Sequence, residues 1–335
     1  MGKADVAIKS WLKDSNRFAD LFNGIIFGGR NVILSENLTE VNSESDVIIV
    51  GKNNKSRVVE KYRDIIMRWK DNLYLVLLAV EIQDRIHYGM PVRKMLYDAL
   101  SYTDQMRNIW QNSSAVVYNK KVETDEFLSR FRKDDKLYPV ITIVFYYGDE
   151  WDGNFDLYDM FGFDDDLLNK EDMKTLKKYI SNYKITVFNP SLEKNLNIFK
   201  SDLQKVFEMI KYKGDKKGLI EYTTQNRDYF SCVDYETSQA IKALLGTGDL
   251  LKHTLNSKTK EGNDVCKALQ DLYDDGITEG KKIGREEGRE EGREEGREEG
   301  KILAFSEMGF SLEEIANRIS KPLEYVEEVI GLQTI

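Results

Sequence analysis

The sequence predicts an α/β fold with a mixed sheet, followed by a mostly helical extension and a charged repeat tail. Three observations support this fold class. Two apolar runs, at 63–69 and 73–82, are joined by the short polar segment 70–72, which predicts a β-hairpin. A further apolar run at 140–147 predicts a third strand. Apolar side chains recur at helical spacing over 91–110, which predicts a helix between these strands.

The elements before and inside the sheet follow from local patterns. Apolar residues at near-helical spacing predict one helix over 5–29, which ends at a Gly-Gly pair. Residues 31–60 are polar and mixed, with a short strand candidate at 47–50. The second run of the hairpin is apolar at every position from 75 to 80, which is typical of a central strand covered on both faces. Pro91 opens the following helix, because proline is tolerated in the first turn.

The chain divides into four predicted parts. They are an α/β core at 1–160, a mostly helical extension at 161–272, a glycine-spaced charged repeat at 273–301 and a small helical module at 302–335. The extension contains a strand candidate at 184–188 and helical stripes at 196–210 and 240–251, but no chemical motif.

The repeat places glycines at a strict spacing of four from Gly276 to Gly300, with Arg-Glu-Glu between them from Arg285 to Glu299. Each favourable Glu–Arg pair stabilises a helix by roughly 0.2–0.5 kcal/mol. Each glycine costs about 1 kcal/mol relative to alanine. This balance leaves two alternatives for its structure, a marginal solvated helix or a flexible linker. Its role could be that of a spacer or an oligomer-forming stalk, but we favour a length-variable solvated linker, since a charge run is usually a solvated segment.

The terminal module combines a capping-box pattern at Ser311 and Glu314 with a second helix opened by Pro322. Two short helices joined by a turn could read DNA. The module carries more acidic than basic residues, which suits contact with protein better than contact with phosphate.

The charge of the chain is unevenly distributed. Over 335 residues, 49 basic and 58 acidic residues give a net charge of −9. Residues 271–335 hold 9 basic and 18 acidic residues, and 9 − 18 gives the whole of that −9. The remaining 270 residues are neutral, so the acidic total does not exclude a DNA partner for the core.

Other classes of protein are excluded on composition. The longest apolar run near the motifs, 73–80, is far shorter than the roughly 18 residues needed to span a bilayer, so we expect no membrane association. Two cysteines make no disulfide framework or zinc motif, and only two histidines are present. These features predict a cytoplasmic protein in a reducing compartment.

The chemistry lies at the open end of the hairpin. Asp64 begins the first strand, and Glu81 and Gln83 end the second on one face, because side chains alternate along a strand. A hairpin can bring Asp64 beside Glu81, and two converging carboxylates suit a hard divalent cation such as Mg²⁺. Such an ion assists phosphodiester hydrolysis. Taken alone, each carboxylate is more often a solvated strand end.

Basic residues surround the acidic pair. Seven of them lie between Lys52 and Lys70, against only Glu60 and Asp64. A basic margin around two carboxylates favours a phosphodiester substrate, because cationic side chains bind the phosphate backbone.

At these residues the chain resembles the recombination-promoting nuclease (Rpn) or putative transposase family of the PD-(D/E)XK nuclease superfamily. The matching segments are YRDII at 62–66, VEIQ at 80–83, MPVR at 90–93, YPVITIV at 138–144, YYG at 146–148 and, in the first helix, FADLFN at 18–23. The resemblance covers about residues 15–160 well and the tail loosely. It implies a restriction-endonuclease-like core at 1–160.

The resemblance also implies roles for individual residues. Asp64 and Glu81 would hold Mg²⁺, or Mn²⁺ in its place, with Asp20 of the first helix assisting. Gln83 stands where the superfamily often has lysine, and would position the attacking water. Among the basic side chains, Lys61 and Arg63 would contact DNA.

Arg93 and Tyr97 lie one helical turn apart, and they would contact phosphate or orient Gln83. The alternative is a structural arginine packed on a tyrosine.

The glutamine is the main departure from the superfamily pattern. A neutral amide can orient water by hydrogen bonding but cannot neutralise charge. Either Arg93 or Lys94 supplies the charge, or catalysis is slow. The expected function is a Mg²⁺-dependent DNA endonuclease linked to recombination or mobile elements. The alternative is a catalytically weak or inactive DNA-binding or regulatory protein with a nuclease-derived fold.

Overall fold

The computed structural model describes residues 2–41, 44–50, 56–71, 74–116, 123–162, 170–247 and 262–331. Side chains are described in these ranges except at 44–50, 56–62, 71, 74–75 and 113–116. The chain forms two compact units, Met1–Ala268 and Leu269–Ile335. The first unit spans both the α/β core and the helical extension that the sequence predicts.

The first unit alternates helices and strands before it becomes helical. Its strands are β1 (Leu38–Glu40), β2 (Glu44–Val50), β3 (Ser56–Tyr62), β4 (Ile65–Asp71), β5 (Tyr74–Gln83), β6 (Val140–Tyr146) and β7 (Thr186–Phe188). Its helices are α1 (Lys3–Leu12), α2 (Ser15–Phe27), α3 (Met90–Val116), α4 (Thr124–Ser129), α5 (Lys170–Lys177), α6 (Leu203–Ile210), α7 (Lys216–Gln225), α8 (Arg227–Phe230) and α9 (Tyr235–Leu245). Short 3₁₀ turns lie at Ser35–Asn37, Tyr158–Met160 and Leu196–Ile198.

Five strands form a mixed sheet in the order β1-β4-β5-β6-β7. The β1–β4 and β4–β5 pairs are antiparallel, whereas β5–β6 and β6–β7 are parallel. The strands β2 and β3 form a separate antiparallel pair. The described residues therefore confirm the predicted mixed α/β class, with β5 at the centre of the larger sheet.

The hairpin and the helix after it are found where the sequence predicts them. The β4–β5 pair runs from Ile65 opposite Val80 to Asp71 opposite Tyr74. The strand β4 continues through two residues predicted as turn, and residues 72–73 lie outside the described ranges. The helix α3 begins at Met90, immediately before Pro91.

The single helix predicted over 5–29 is wrong, because the structure contains two helices there. The side chain of Asp14 accepts hydrogen bonds from the backbone N–H groups of Asn16 and Arg17, which makes it the N-cap of α2. Apolar spacing continues across this break, so the periodicity alone did not reveal it. Residues 31–60 also hold more strand than predicted, since β1 and β3 carry no strong alternation.

Aromatic side chains join the sheet to the helices that follow it. The ring of Phe207 on α6 packs at 5.8 Å from Phe145 on β6 and at 6.0 Å from Trp11 on α1. Phe188 on β7 and Phe199 complete the cluster, and Phe145, Phe199 and Phe207 are fully buried. The helical extension therefore shares its core with the sheet.

The second unit contains α11 (Leu312–Ile319), α12 (Leu323–Gly331) and most of α10 (Val265–Glu307). The repeat lies within α10, so of the two structures that the sequence leaves open it adopts the helix. Apart from the neighbouring backbone of α10 itself, no described atom lies within 4 Å of the Cβ position of any repeat glycine. Ser311 caps α11 and Glu314 returns the bond, which confirms the predicted capping box.

A small apolar core holds the end of the second unit together. Ile302, Ile315 and Val326 are fully buried in it, one from each helix. Among the described residues, no helix is both long enough and apolar enough to cross a membrane.

Candidate functional site

The hairpin brings the two predicted carboxylates to one end of the sheet. Ile65 pairs with Val80, so Asp64 and Glu81 are the next residues outward on their two chains. Burial and, after it, the charge of Asp64 raise the pKa of the Glu81 carboxyl. The strand register therefore places the two residues at the same open end of the hairpin, one step beyond the Ile65–Val80 pair.

Asp64 is buried and held by the backbone of the neighbouring strand. Its Oδ2 accepts a hydrogen bond of 2.8 Å from the N–H of Ile82. Burial raises the pKa of Asp64 above its usual value, while that hydrogen bond and the positive charges of Lys9 and Arg93 lower it. Its Oδ1 accepts no hydrogen bond from the residues that the structure describes.

Glu81 has no exposed surface at all. Its Oε2 accepts a bond of 3.3 Å from Nη2 of Arg93, and its Oε1 has no hydrogen-bond partner in the described part of the chain. Burial, followed by the charge of Asp64, raises the pKa of Glu81 to about 8. A buried acceptor without a partner is costly, so a cation or hydrogen-bond donor that reached Oε1 would offset that cost.

The donor set fits a hard divalent cation. Two carboxylates, one of them with a free buried oxygen, supply the oxygen ligands that Mg²⁺ and Mn²⁺ prefer. Among the described residues, no group of three or more Asp, Glu, His or Cys side chains could hold a metal. Two carboxylates are enough for Mg²⁺, which usually keeps several waters and binds substrate phosphate as well.

Gln83 lies two residues beyond Glu81 on the same side of β5. Its backbone carbonyl accepts a bond of 3.1 Å from the N–H of Tyr147. The side chain is half-buried and makes no hydrogen bond within the described ranges. Its amide is therefore available to a ligand or a water molecule.

Arg93 and Tyr97 line the site from α3. Arg93 donates from Nε to the hydroxyl of Tyr97 at 3.2 Å and stacks over its ring at 5.4 Å. The same guanidinium reaches Glu81, and about a quarter of the Arg93 side chain is exposed. Both alternatives for this pair thus have support, since Arg93 packs on Tyr97 and also keeps an exposed face beside the carboxylates.

Arg63 does not occupy the substrate-facing position that we expected. It is buried, and its guanidinium donates to Asp98 and, at 2.9 Å, to Oγ1 of Thr142. Lys94 also pairs with Asp98, at 2.7 Å. Arg63 and Lys94 are therefore held in a buried ion-pair network. Lys61 lies in β3, and its side chain is outside the described part of the structure.

Asp20 is also placed differently from the expectation that it assists the metal. It is buried, and its carboxylate accepts bonds from the N–H groups of Lys200 and Ser201 and from the Ser201 hydroxyl. In the described structure no contact links Asp20 to Asp64 or Glu81. Its role here is to anchor the chain that enters α6.

Sequence reasoning missed the contribution of α1. The hydroxyl of Tyr147 donates to Oδ1 of Asp5 at 2.8 Å, which ties α1 to the end of β6. Lys9 follows Asp5 by one helical turn. The charge of Lys9 lowers the pKa of Asp64, and it does so more than the charge of Arg93. The spacing of four between Asp5 and Lys9, beside the buried Ile8, was the available signal.

Comparisons with known proteins found no counterpart. No family model, no curated protein and no solved structure matches this chain.

Proposed function

We propose that this protein is a metal-dependent DNA endonuclease that hydrolyses phosphodiester bonds. The observation that carries the proposal is Glu81, which is fully buried, lies beside Asp64 and leaves Oε1 without a partner among the described residues. Nothing in the folding of the sheet requires two carboxylates to be buried together, because each desolvated charge is costly. A divalent cation shared by the two would offset that cost.

Asp64 and Glu81 would hold Mg²⁺, or Mn²⁺ in its place. When bound, the ion supplies Lewis-acid stabilisation of the phosphate charge and favours deprotonation of water. Gln83 orients the attacking water through its free amide. Arg93 keeps Glu81 in place from α3 and offers its exposed edge to phosphate.

The fold is consistent with this proposal. A restriction-endonuclease-like core, as the Rpn resemblance implies, would place its acidic residues on a hairpin at the centre of a mixed sheet. In this chain the two carboxylates lie at the end of the β4–β5 pair. The exposed side chains of Arg68 and Lys70 on β4 are available to the DNA backbone. We extend the proposal to DNA cleavage linked to recombination or mobile elements in the cytoplasm.

Cleavage of supercoiled plasmid DNA tests the function. We expect the protein to nick or cut it with Mg²⁺ or Mn²⁺, and Asp64→Ala or Glu81→Ala to abolish the activity. Asp104→Ala is the matched control, because it removes a partly exposed carboxylate from α3 whose ion pair with Arg107 lies at the surface. Activity that survives both site substitutions would overturn the assignment.

A second candidate is favoured by the neutral side chain at Gln83. A site without a positively charged side chain at position 83 could bind DNA and cleave it slowly or not at all. The protein would then be a regulatory DNA-binding protein with a nuclease-derived fold. DNA binding without metal, and no cleavage with Mn²⁺, would support this candidate.

For the tail we propose a role in homo-oligomer formation. Truncation after Leu272 removes the helical repeat and the terminal module. A lower native mass by light scattering would support the proposal, and an unchanged subunit number would contradict it.

A further inference from the structure

The proposed site lacks the positive charge that a lysine at position 83 would supply. Among the described residues, three other cations near the carboxylates already have partners, although Arg93 keeps an exposed edge. Arg63 and Lys94 both pair with Asp98, and Arg93 donates to Glu81 and Tyr97. Lys9 is different, because it makes no hydrogen bond or ion pair through its side chain within the described ranges.

The helix that carries Lys9 is firmly placed against the sheet. Ile8, Trp11 and Leu12 have no exposed surface, and α1 contacts both β5 and α9. These buried residues lie before and after Lys9 along the helix. The half-buried side chain of Lys9 therefore projects from α1 at the edge of its buried face.

A chain of two hydrogen bonds fixes α1 to the end of β5 that holds the carboxylates. The N–H of Tyr147 donates to the carbonyl of Gln83 at 3.1 Å, and the Tyr147 hydroxyl donates to Asp5 at 2.8 Å. Asp5 and Lys9 are four residues apart on α1 and share one face. That face therefore meets the strand end at Gln83, two residues from Glu81.

We propose that Lys9 is a catalytic residue of the nuclease, which supplies from α1 the positive charge that Gln83 cannot. This inference rests on the proposed function. In hydrolysis the water oxygen bonds to phosphorus as the bond from phosphorus to the leaving oxygen breaks; the water loses one proton and the leaving oxygen gains one. The Lys9 ammonium faces the reacting phosphate and neutralises the negative charge that builds on its oxygens.

The test compares three variants on plasmid DNA at saturating substrate. Lys9→Met keeps the length of the side chain but removes the charge, and we expect the cleavage rate to fall at least about 100-fold. Lys9→Arg keeps the charge and should recover a large part of the rate. Lys3→Met is the matched control, because it makes the same change at an exposed position of α1, and it should cleave like wild type.

Calorimetric titration with Mn²⁺ provides a readout other than activity. Removal of a positive charge beside the carboxylates should leave Mn²⁺ affinity unchanged or tighter in Lys9→Met, whereas a collapsed site would bind Mn²⁺ more weakly. Lys9→Met that cleaves within about threefold of an active wild type overturns this inference alone, since removal of a charge that acts on the reacting phosphate should cost far more. Wild type that neither binds Mn²⁺ nor cleaves DNA overturns the proposed function, and this inference with it.

Discussion

The carboxylate of Asp64 accepts a hydrogen bond of 2.8 Å from the backbone N–H of Ile82, the residue that follows Glu81. This bond joins the start of one hairpin strand to the end of the other. It fixes one oxygen of Asp64 and directs the carboxyl group toward the strand that carries Glu81. The sheet register and this bond therefore both help to set the position of Asp64 relative to Glu81.

Glu81 should make the metal-free protein less stable as the pH rises. Its carboxyl ionises near 4.5 in the unfolded chain, and burial raises its pKa to about 8 in the folded protein. The folded state favours the protonated form of Glu81. The contribution of Glu81 to the free energy of unfolding is therefore greatest below pH 4.5 and falls as the pH approaches 8. In EDTA, Glu81→Gln should melt at least about 2 °C above wild type at pH 8, with the difference vanishing near pH 4.5. The same difference in melting temperature between Glu81→Gln and wild type at both pH values would contradict the raised pKa of Glu81.

Asp20 should prove structural, and not a metal ligand. Asp20→Ala removes the acceptor for two backbone N–H groups and one hydroxyl at 200–201, which should cost at least about 1–3 kcal/mol of unfolding free energy. The Mn²⁺ affinity should stay unchanged by calorimetry. Asp64→Asn is the matched comparison and should show the opposite pattern, with weakened Mn²⁺ binding and little loss of stability. Loss of Mn²⁺ binding in Asp20→Ala would restore Asp20 to the site.

Arg17 should be among the most important charged residues for stability. Its Nε and Nη2 atoms donate to Asp202 at 2.9–3.1 Å, and Nη2 also donates to Asp234 at 2.6 Å and to Oγ1 of Thr237 at 2.9 Å. Arg17→Met leaves the largely buried Asp202 carboxylate without its cation. The substitution should therefore lower the free energy of unfolding in urea by about 3–5 kcal/mol.

The control for Arg17 is Arg107→Met, which breaks a more exposed ion pair with Asp104 and should cost no more than about 1 kcal/mol. Equal midpoints for the two variants would show that the Arg17 cluster contributes little.

Two glycines inside helices should respond oppositely to alanine. A Cβ at Gly24 in α2 would lie 2.4 Å from Cε1 of the buried Phe199, so Gly24→Ala should cost about 1–3 kcal/mol by overpacking. Gly288 in α10 has nothing within 4 Å, so Gly288→Ala should instead favour the helix by about 1 kcal/mol. Circular dichroism during thermal unfolding measures both changes. A stabilised Gly24→Ala would show that Phe199 can move aside.

The sheet and the position of the acidic pair could be predicted because their signals are local. The apolar runs of β4 and β5 lie next to each other in the chain, and the side-chain alternation places Glu81 and Gln83 on one side. The pairing of Ile65 with Val80 then follows from the short connection.

Roles that depend on distant residues could not be predicted. Asp20 is bound by a segment about 180 residues later in the chain, and the resemblance alone suggested a metal role for it. Arg63 lies beside Asp64 in sequence, but its partner Asp98 is supplied by α3. The approach of Lys9 to the site depends on how α1 packs, which no local pattern encodes.

The repeat tail shows a different limit. Its residues balance helix-breaking glycines against weak pairs such as Arg289 with Glu286 at 3.9 Å, and each quantity is known only to a few tenths of a kcal/mol. Whether the total free energy favours the helix or the open chain therefore cannot be predicted from the sequence.

The central position of β5 also bears on how the site moves. From Leu77 to Val80 this strand is paired on both sides, so its amides can exchange with solvent only when a neighbouring strand separates. We expect hydrogen exchange along β5 to be among the slowest in the first unit. A site built on such a strand stays in register on the timescale of substrate binding, so any adjustment to DNA must come from the elements around it, α1 among them.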